Sequence, residues 1–359
     1  MRVGILGAGA IAFASASVLA AAGHQATLWS PSGRSTASFG PRARIVAKGA
    51  ITGACEVTIA ATAAQAVAGA DAVLIAVDAG GHVAVMEAAA PHLVSGQVVM
   101  VSAAHSLGAL VLSKLAAARG TRPVIVSWST SIGTASKTAV GEVDMRSVRP
   151  RIQASVMPYG ETAAALGLCA ALFGDRFEAR ADAIEIGLLA NANPVFHVPA
   201  MLLNVARIEH GETWAPYAQT TVAVGRLMEA LDRERIALGA ALGATIHSVN
   251  EHFHRSFEIP LGTMAEMNAT LAARGRGPRG PTSTAHRFLA QDIPYGLVFA
   301  AALARRAGVP APVHEATITL ADAALGRDHR AENAILSCLR LEDRPWSEIV
   351  RLATEGWLG

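Results

Sequence analysis

The chain has 359 residues, of which 52% are hydrophobic and only 5% aromatic, and its formal net charge is +2. A chain of this length can bury a large core and suggests about two domains, with an interior built mainly of Ala, Val and Leu. So balanced a charge gives no basis for a nucleic-acid or anionic-membrane partner. The cysteines Cys55, Cys169 and Cys338 form no C-x-x-C pair and are odd in number, which suits a reducing compartment and offers neither a disulfide framework nor a zinc site. The expectation is a cytoplasmic protein without a metal.

Met1–Leu6 reads as a buried strand, Ala10–Ala22 as an Ala-rich helix stopped by Gly23, and Gln25–Trp29 as a second strand. Gly7, Gly9 and Ala12 fill a G-x-G-x-x-A pattern between strand and helix, so the stretch has the layout of a dinucleotide-binding βαβ unit of about thirty residues. Gly7 permits a tight turn, Gly9 a close approach to a pyrophosphate, and Ala12 close packing of helix on strand. The N–H groups of the helix start, at Ala10 and Ile11, face the phosphates. The competing reading is a secretory signal or membrane span, disfavoured by the glycines and the shortage of Leu, Ile and Phe.

After the second strand an NAD site places an acid for the ribose 2′-OH. Here Trp29-Ser30-Pro31-Ser32-Gly33-Arg34 has no carboxylate, while Ser30, Ser32 and Arg34 offer hydroxyls and a guanidinium to a 2′-phosphate. NADP(H) is therefore favoured, with NAD(H) left open. Ala72–Val77 is a continuous apolar run expected of a strand covered on both faces, and the loop Asp78–His82 follows at its carboxyl end. Gln97–Ser102 and Pro123–Ser127 read as further parallel strands, separated by a helix over Leu107–Ala118. His82 and His105 are candidate proton donors, weighed against plain loop histidines. Thr162–Phe173 reads as one more helix. The predicted organisation is α/β: a doubly wound Rossmann domain over 1–185, then an all-helical domain over 186–359.

In the second half, Asn193 and Pro194 read as a helix N-cap and first position, in a helix running on to Arg207, with Pro199 as either a kink or the true start. Either way His197 lies near a helix N-terminus, where the dipole disfavours the imidazolium; a core histidine is the alternative. Thr220–Leu242 has the spacing of a long amphipathic helix, with Asp232, Arg233, Glu234 and Arg235 on its solvated face. His247, His252 and His254 share a helical stretch but do not converge on one face as metal ligands would. Ala273–Pro281 is a basic Gly/Pro loop, expected to be mobile; without aromatics it carries no case for RNA. In Thr284–Gly296, read on local grounds alone, Asp292 before Pro294 is a candidate helix cap and Arg287 its ion-pair partner.

The G-A-G-x-x-A start, NANPVFHVPAMLLN in mid-chain and HRFLAQDIPYGL near the end resemble, in that order and over essentially the whole chain, the octopine/nopaline opine dehydrogenase family. The resemblance implies a Rossmann domain followed by a helical one, with the active site between them. It implies NAD(P)H-dependent reductive condensation of an α-keto acid with the amino group of an amino acid. On the matching motifs the family's catalytic histidine falls on His197, its partner carboxylate on Asp292, and the arginine that binds the keto-acid carboxylate on Arg287. The Ser-Pro turn after the second strand is similar to that of the family's NADPH-using synthases. The chain departs from the family at Gln291, where an acid is common, and at Asp78, where a proline is common. The resemblance leaves open the amino acid, the product stereochemistry and the oligomeric state, a homodimer included. Two alternatives stand beside it: a ketopantoate-type 2-keto-acid reductase, whose usual lysine acid is absent from the helical half, and a non-catalytic dinucleotide sensor.

Overall fold

The computed structural model describes Met1 to Leu358, which divide into two compact units: 1–187 with 347–358, and 188–346. The first unit holds one mixed sheet of eleven strands among the described residues. β1 (Arg2–Leu6), α1 (Ala10–Ala21) and β2 (Gln25–Trp29) form its parallel centre, with Leu6 paired to Trp29. Two strands not anticipated from the sequence, β3 (Arg42–Gly49) and β4 (Gly53–Ala60), pair with each other antiparallel, and β4 continues the sheet beside β2. After α2 (Ala63–Val67), β5 (Ala72–Ile75) lies parallel to β1 on the other side, every residue buried, as its unbroken apolar run requires.

α3 (His82–Ala89), β6 (Val98–Val101), α4 (Gly108–Ala117) and β7 (Val124–Trp128) continue this parallel half. A second unanticipated hairpin, β8 (Gly133–Ala139) with β9 (Glu142–Val148), adds to β3 at the far edge. β10 (Ile152–Met157) then returns antiparallel beside β7, and after α5 (Thr162–Phe173) the short β11 (Phe177–Ala179) closes that edge. The order is therefore β11-β10-β7-β6-β5-β1-β2-β4-β3-β9-β8, a parallel dinucleotide-type core with flanks that mix antiparallel and parallel pairs. The hairpins escape a reading by apolar runs because they are half-covered: β3 buries Ala43, Ile45 and Ala47, while Arg44 between them is exposed and Val46 half-buried.

α6 (Ala183–Ala190) leads into the second unit, which contains no strand among the described residues. α7 (Ala192–Leu202) is followed by α8 (Val205–Glu209), the long α9 (Val222–Ala241), α10 (Val249–Phe257), α11 (Met264–Ala273) and the one-turn α12 (Arg287–Ala290). A π-helical turn over Ile293–Leu297 joins α12 to α13 (Val298–Ala307); α14 (Pro312–Leu325), α15 (Ala334–Leu339) and α16 (Trp346–Glu355) complete the chain. Capping boxes, Ser248 with Glu251 and Thr263 with Glu266, start α10 and α11 by satisfying end N–H groups. Each unit buries its own apolar cluster, one around Phe13, Leu28 and Trp128, the other around Phe196, Phe253 and Leu289. No helix among the described residues is long and apolar enough to cross a membrane.

The structure corrects four local expectations. α7 begins after Asn191 rather than Asn193 and stops at Leu202, with Pro199 inside it. His197 is thus its sixth residue, beyond the first turn where a helix dipole acts strongly. On α9, Asp232 and Arg235 are 2% and 1% exposed and pair with each other at 2.7 Å, so only Arg233 of that run is solvated fully. Arg235 also donates to the carbonyls of Leu188 and His247, and Asp232 accepts from the Val249 N–H, so both charges are matched in the interior. His247 precedes α10 instead of lying within it. The Gly/Pro loop, finally, is anchored at its C-terminal end rather than free along its whole length: the Trp214 indole donates to the Pro281 carbonyl and the Gly280 N–H to the Trp214 carbonyl.

Candidate functional site

In the second unit the chain makes its most distinctive polar contact between two segments 95 residues apart. His197 Nδ1 lies 2.7 Å from Asp292 Oδ2, and each side chain is 13% exposed. The contact has a local cause on both sides. Pro294 has no N–H to give Ala290, which breaks the α12 ladder and lets the backbone widen into the π turn. Asp292, at the head of that turn, makes no side-chain cap, so its carboxylate is left for His197. Gly296 lets the turn approach α7: a Cβ there would overlap the Pro194 ring and stand 2.8 Å from Asn191 Oδ1. Asn333 Nδ2, donating to the Pro294 carbonyl at 2.7 Å, and the Tyr295 hydroxyl, donating to the Glu332 carbonyl at 3.2 Å, hold the turn from its other side.

The Phe288 ring stacks on the His197 imidazole at 3.8 Å between centroids, and the Arg287 guanidinium is 5.6 Å from the Phe288 centroid. Arg287 is exposed and makes no ion pair with Asp292, contrary to the local reading of those two residues. The Asp292 carboxylate must accept from Nδ1–H, which fixes the tautomer that leaves Nε2 to exchange protons. Burial pushes the His197 pKa below its ordinary value, the Asp292 hydrogen bond and charge pull it back up, and the Arg287 charge lowers it again. Burial rather than helix position therefore keeps this ring neutral near pH 7.

His286 belongs to the same cluster and has no signal in the sequence beyond its place next to Arg287. Its Nδ1 accepts from the Phe288 N–H at 3.3 Å and caps α12, while its ring meets Phe288 edge-on at 4.5 Å. Its pKa is lowered by burial first, then by the charges of Arg287 and His197.

In the first unit the glycine turn has the form a dinucleotide needs. Gly7 has φ +145°, and a Cβ there would collide with the Ala76 carbonyl; its N–H bonds to the Trp29 carbonyl at 2.8 Å. A Cβ at Gly9 would meet nothing, so the backbone ahead of Ala10 and Ile11 is open to a ligand. Ala12 is fully buried, and the first turn of α1 carries no acid that would repel a phosphate. Ser30 and Ser32 line an open cleft of about 530 Å³ that also takes in Thr62 and His92, two residues the sequence did not mark. Arg34 lies at the start of a 3₁₀ turn, exposed, and does not line the cleft. The open turn and the cleft fit an NAD(P)-type dinucleotide. His82 is fully buried, bonds the Val77 carbonyl at 3.2 Å and is pushed down to about 4 by burial and by His105. It is a neutral core histidine. Among the described residues no group of three or more His, Cys, Asp or Glu is placed to hold a metal.

Residues 180–325 match the family model described as NAD/NADP octopine/nopaline dehydrogenase, alpha-helical domain, and residues 2–105 match that of NADP oxidoreductase, coenzyme F420-dependent. The chain is 27% identical to an opine dehydrogenase of Arthrobacter sp. (strain 1C) over 345 residues, 94% of each protein. Its fold is similar to that of octopine dehydrogenase solved with NADH and agmatine, with TM-score 0.75, 18% identity and coverage of 99% and 98%. It is similar also to yersinopine dehydrogenase with NADP+ bound, with TM-score 0.71, 18% identity and coverage of 95% and 98%.

Proposed function

We propose that this chain, which belongs to the octopine/nopaline dehydrogenase family, is an opine dehydrogenase, an NAD(P)-dependent oxidoreductase acting on a CH–NH bond. In the reading we favour it condenses an α-keto acid reversibly with the amino group of an amino acid and prefers NADPH. The observation that carries this reading is the His197–Asp292 contact with Arg287 beside it. Three residue types that such a condensation needs stand together where α7 packs against α12 and the π turn.

The exposed guanidinium of Arg287 holds the keto-acid carboxylate by two parallel hydrogen bonds and fixes the carbonyl carbon. His197 Nε2 takes a proton from the incoming ammonium, freeing the amine to add, and returns it to the carbinolamine oxygen as water leaves. Asp292 keeps Nδ1 protonated and stabilises the imidazolium while it lasts. Loss of that water leaves the iminium, and the reduced nicotinamide, when bound, would supply the hydride that converts it to the secondary amine. For the 2′-phosphate, Ser30 and Ser32 offer hydroxyls, and Arg34, two residues after Ser32, adds a positive charge.

The test follows NADPH absorbance with pyruvate, 2-oxoglutarate and other keto acids, each with and without a panel of amino acids. Amine-dependent oxidation is expected; amine-independent oxidation selects a simple keto-acid reductase. His197→Ala is expected to lose about 10²–10⁴-fold in turnover while still binding NADPH. Near wild-type turnover in that variant removes His197 from the mechanism.

A further inference from the structure

His197 also forms part of the wall of a chamber lined by Phe196, Met201, Tyr217, Met228 and Phe288, with Pro278 of the Gly/Pro loop at one side. No Asp, Glu, Lys or Arg lines it. Burial pushes the Tyr217 phenol up to about 12, so that group is neutral as well. Two other polar residues reach the lining, Thr220 and Asn268. The Thr220 hydroxyl donates to the Pro216 carbonyl at 3.0 Å and accepts from Asn268 Nδ2 at 2.9 Å. Because its one proton is committed, only an N–H can meet its lone pair, and this fixes which way the Asn268 amide faces. Asn268 is 1% exposed, and its Oδ1 has no partner. A buried acceptor left unmet is rare in a folded interior, so its position calls for a donor from elsewhere. The free space is about 10 Å³, room for one water-sized group.

We propose that this chamber receives the tip of the side chain of one of the two condensing substrates and selects a small uncharged group, no larger than a methyl or hydroxyl, whose donor, where it has one, meets Asn268 Oδ1. This deepens the reading above and rests on it. A guanidinium, ammonium or carboxylate entering the chamber gives up its water for apolar walls without a counter-charge, which is the costliest kind of burial. Met201 and Met228 are unbranched, and they yield to a flexible side chain more readily than to a rigid one.

The experiment measures kcat/KM of the full-length enzyme with NADPH, varying the amino acid at fixed pyruvate and then the keto acid at a fixed amino acid. One arm must favour uncharged aliphatic, thioether or hydroxyl side chains over arginine, lysine or glutamate analogues by about a hundredfold or more. That arm identifies which substrate enters. Asn268→Asp places an acid in the chamber and is expected to move the same arm toward lysine and ornithine, or toward their keto analogues. Met228→Ala, which leaves the polar pair intact, is expected to admit larger side chains. Preference for charged side chains in both arms overturns the proposal, as does a profile unchanged in both folded variants. If no amine supports turnover, the functional reading fails, and calorimetric titration of the same compounds into the NADPH-loaded enzyme still reads the chamber. Binding of uncharged side chains alone then supports it; binding of charged ones, or of none, leaves an ordered water as the occupant and overturns it.

Discussion

The protonation state of His197 is set by three neighbours, and each can be removed. Burial lowers its pKa, Asp292 raises it and Arg287 lowers it, so the ring is neutral above the depressed pKa and accepts a proton there. The rate of condensation is therefore expected to rise as pH climbs through that value and then level off. Asp292→Asn removes both raising effects, so the acid limb should move to lower pH as turnover falls. Arg287→Gln should move the limb to higher pH. A limb that rises in Asp292→Asn, read from pH–rate profiles, rules out the pairing as the source of the tuning. His82 makes a matching prediction for stability. Its folded pKa is about 4 against an ordinary 6.5, so the unfolded chain binds the extra proton first as pH falls. Its contribution is complete above 6.5 and is lost progressively down to about 4, to the extent of roughly 3 kcal/mol. Denaturant titrations of His82→Asn should show a flatter acid limb than the parent. Neither histidine could be ranked from sequence, because burial, the largest cause in both, is not a local property.

Elements carry these residues to one another. The approach of the π turn to α7 depends on Gly296 against Pro194, and Asp292 and His197 stand four residues before and three after those two contact points. Gly296→Ala is expected to force the segments apart, destabilising the unit by about 1–3 kcal/mol. It should also lower turnover beyond what that stability loss explains, measured at a temperature where the variant is fully folded. A variant with undiminished turnover would show that the contact does not position the pair. α9 carries a different lesson. Its helical spacing is legible in the sequence, but the same spacing puts Asp232 and Arg235 on a solvated face, because periodicity tells which residues share a face and not what that face meets. Removing Asp232 alone leaves the Arg235 cation buried without its partner, and Asp232→Ala is expected to cost about 3–5 kcal/mol in chemical denaturation. The double change Asp232→Leu with Arg235→Met should cost much less.

At the scale of the whole molecule, two units with separate cores are joined by a chain that crosses back: 347–358 rejoin the first unit. There the Trp357 N–H donates to Ser113 Oγ at 2.9 Å and Arg122 to the Glu355 carbonyl at 3.3 Å. Calorimetry is expected to resolve unfolding that is not two-state. NADPH at a hundred times its Kd should add about 2.7 kcal/mol to the transition of the nucleotide-binding unit. A chain ending at Trp346 should lower that same transition; if it lowers only the other one, the C-terminal contacts are not what holds the first unit.

Met1–Trp29, the buried run at β5 and the helical character of the second half were determined by the sequence alone. Their signals are local: a glycine spacing, a continuous apolar run, a 3.6-residue period. The motifs around His197 and Asp292 were legible too, through resemblance, but their chemistry was not, since each residue has an ordinary local reading as core histidine or helix cap. Only the tertiary structure decided that the two share a hydrogen bond, that Arg287 stays clear of Asp292, and that His286 and Asn268 belong to the same neighbourhood. The physical reason is that pairing, burial and pKa depend on partners distant along the chain, and no window of sequence contains both members of such a pair.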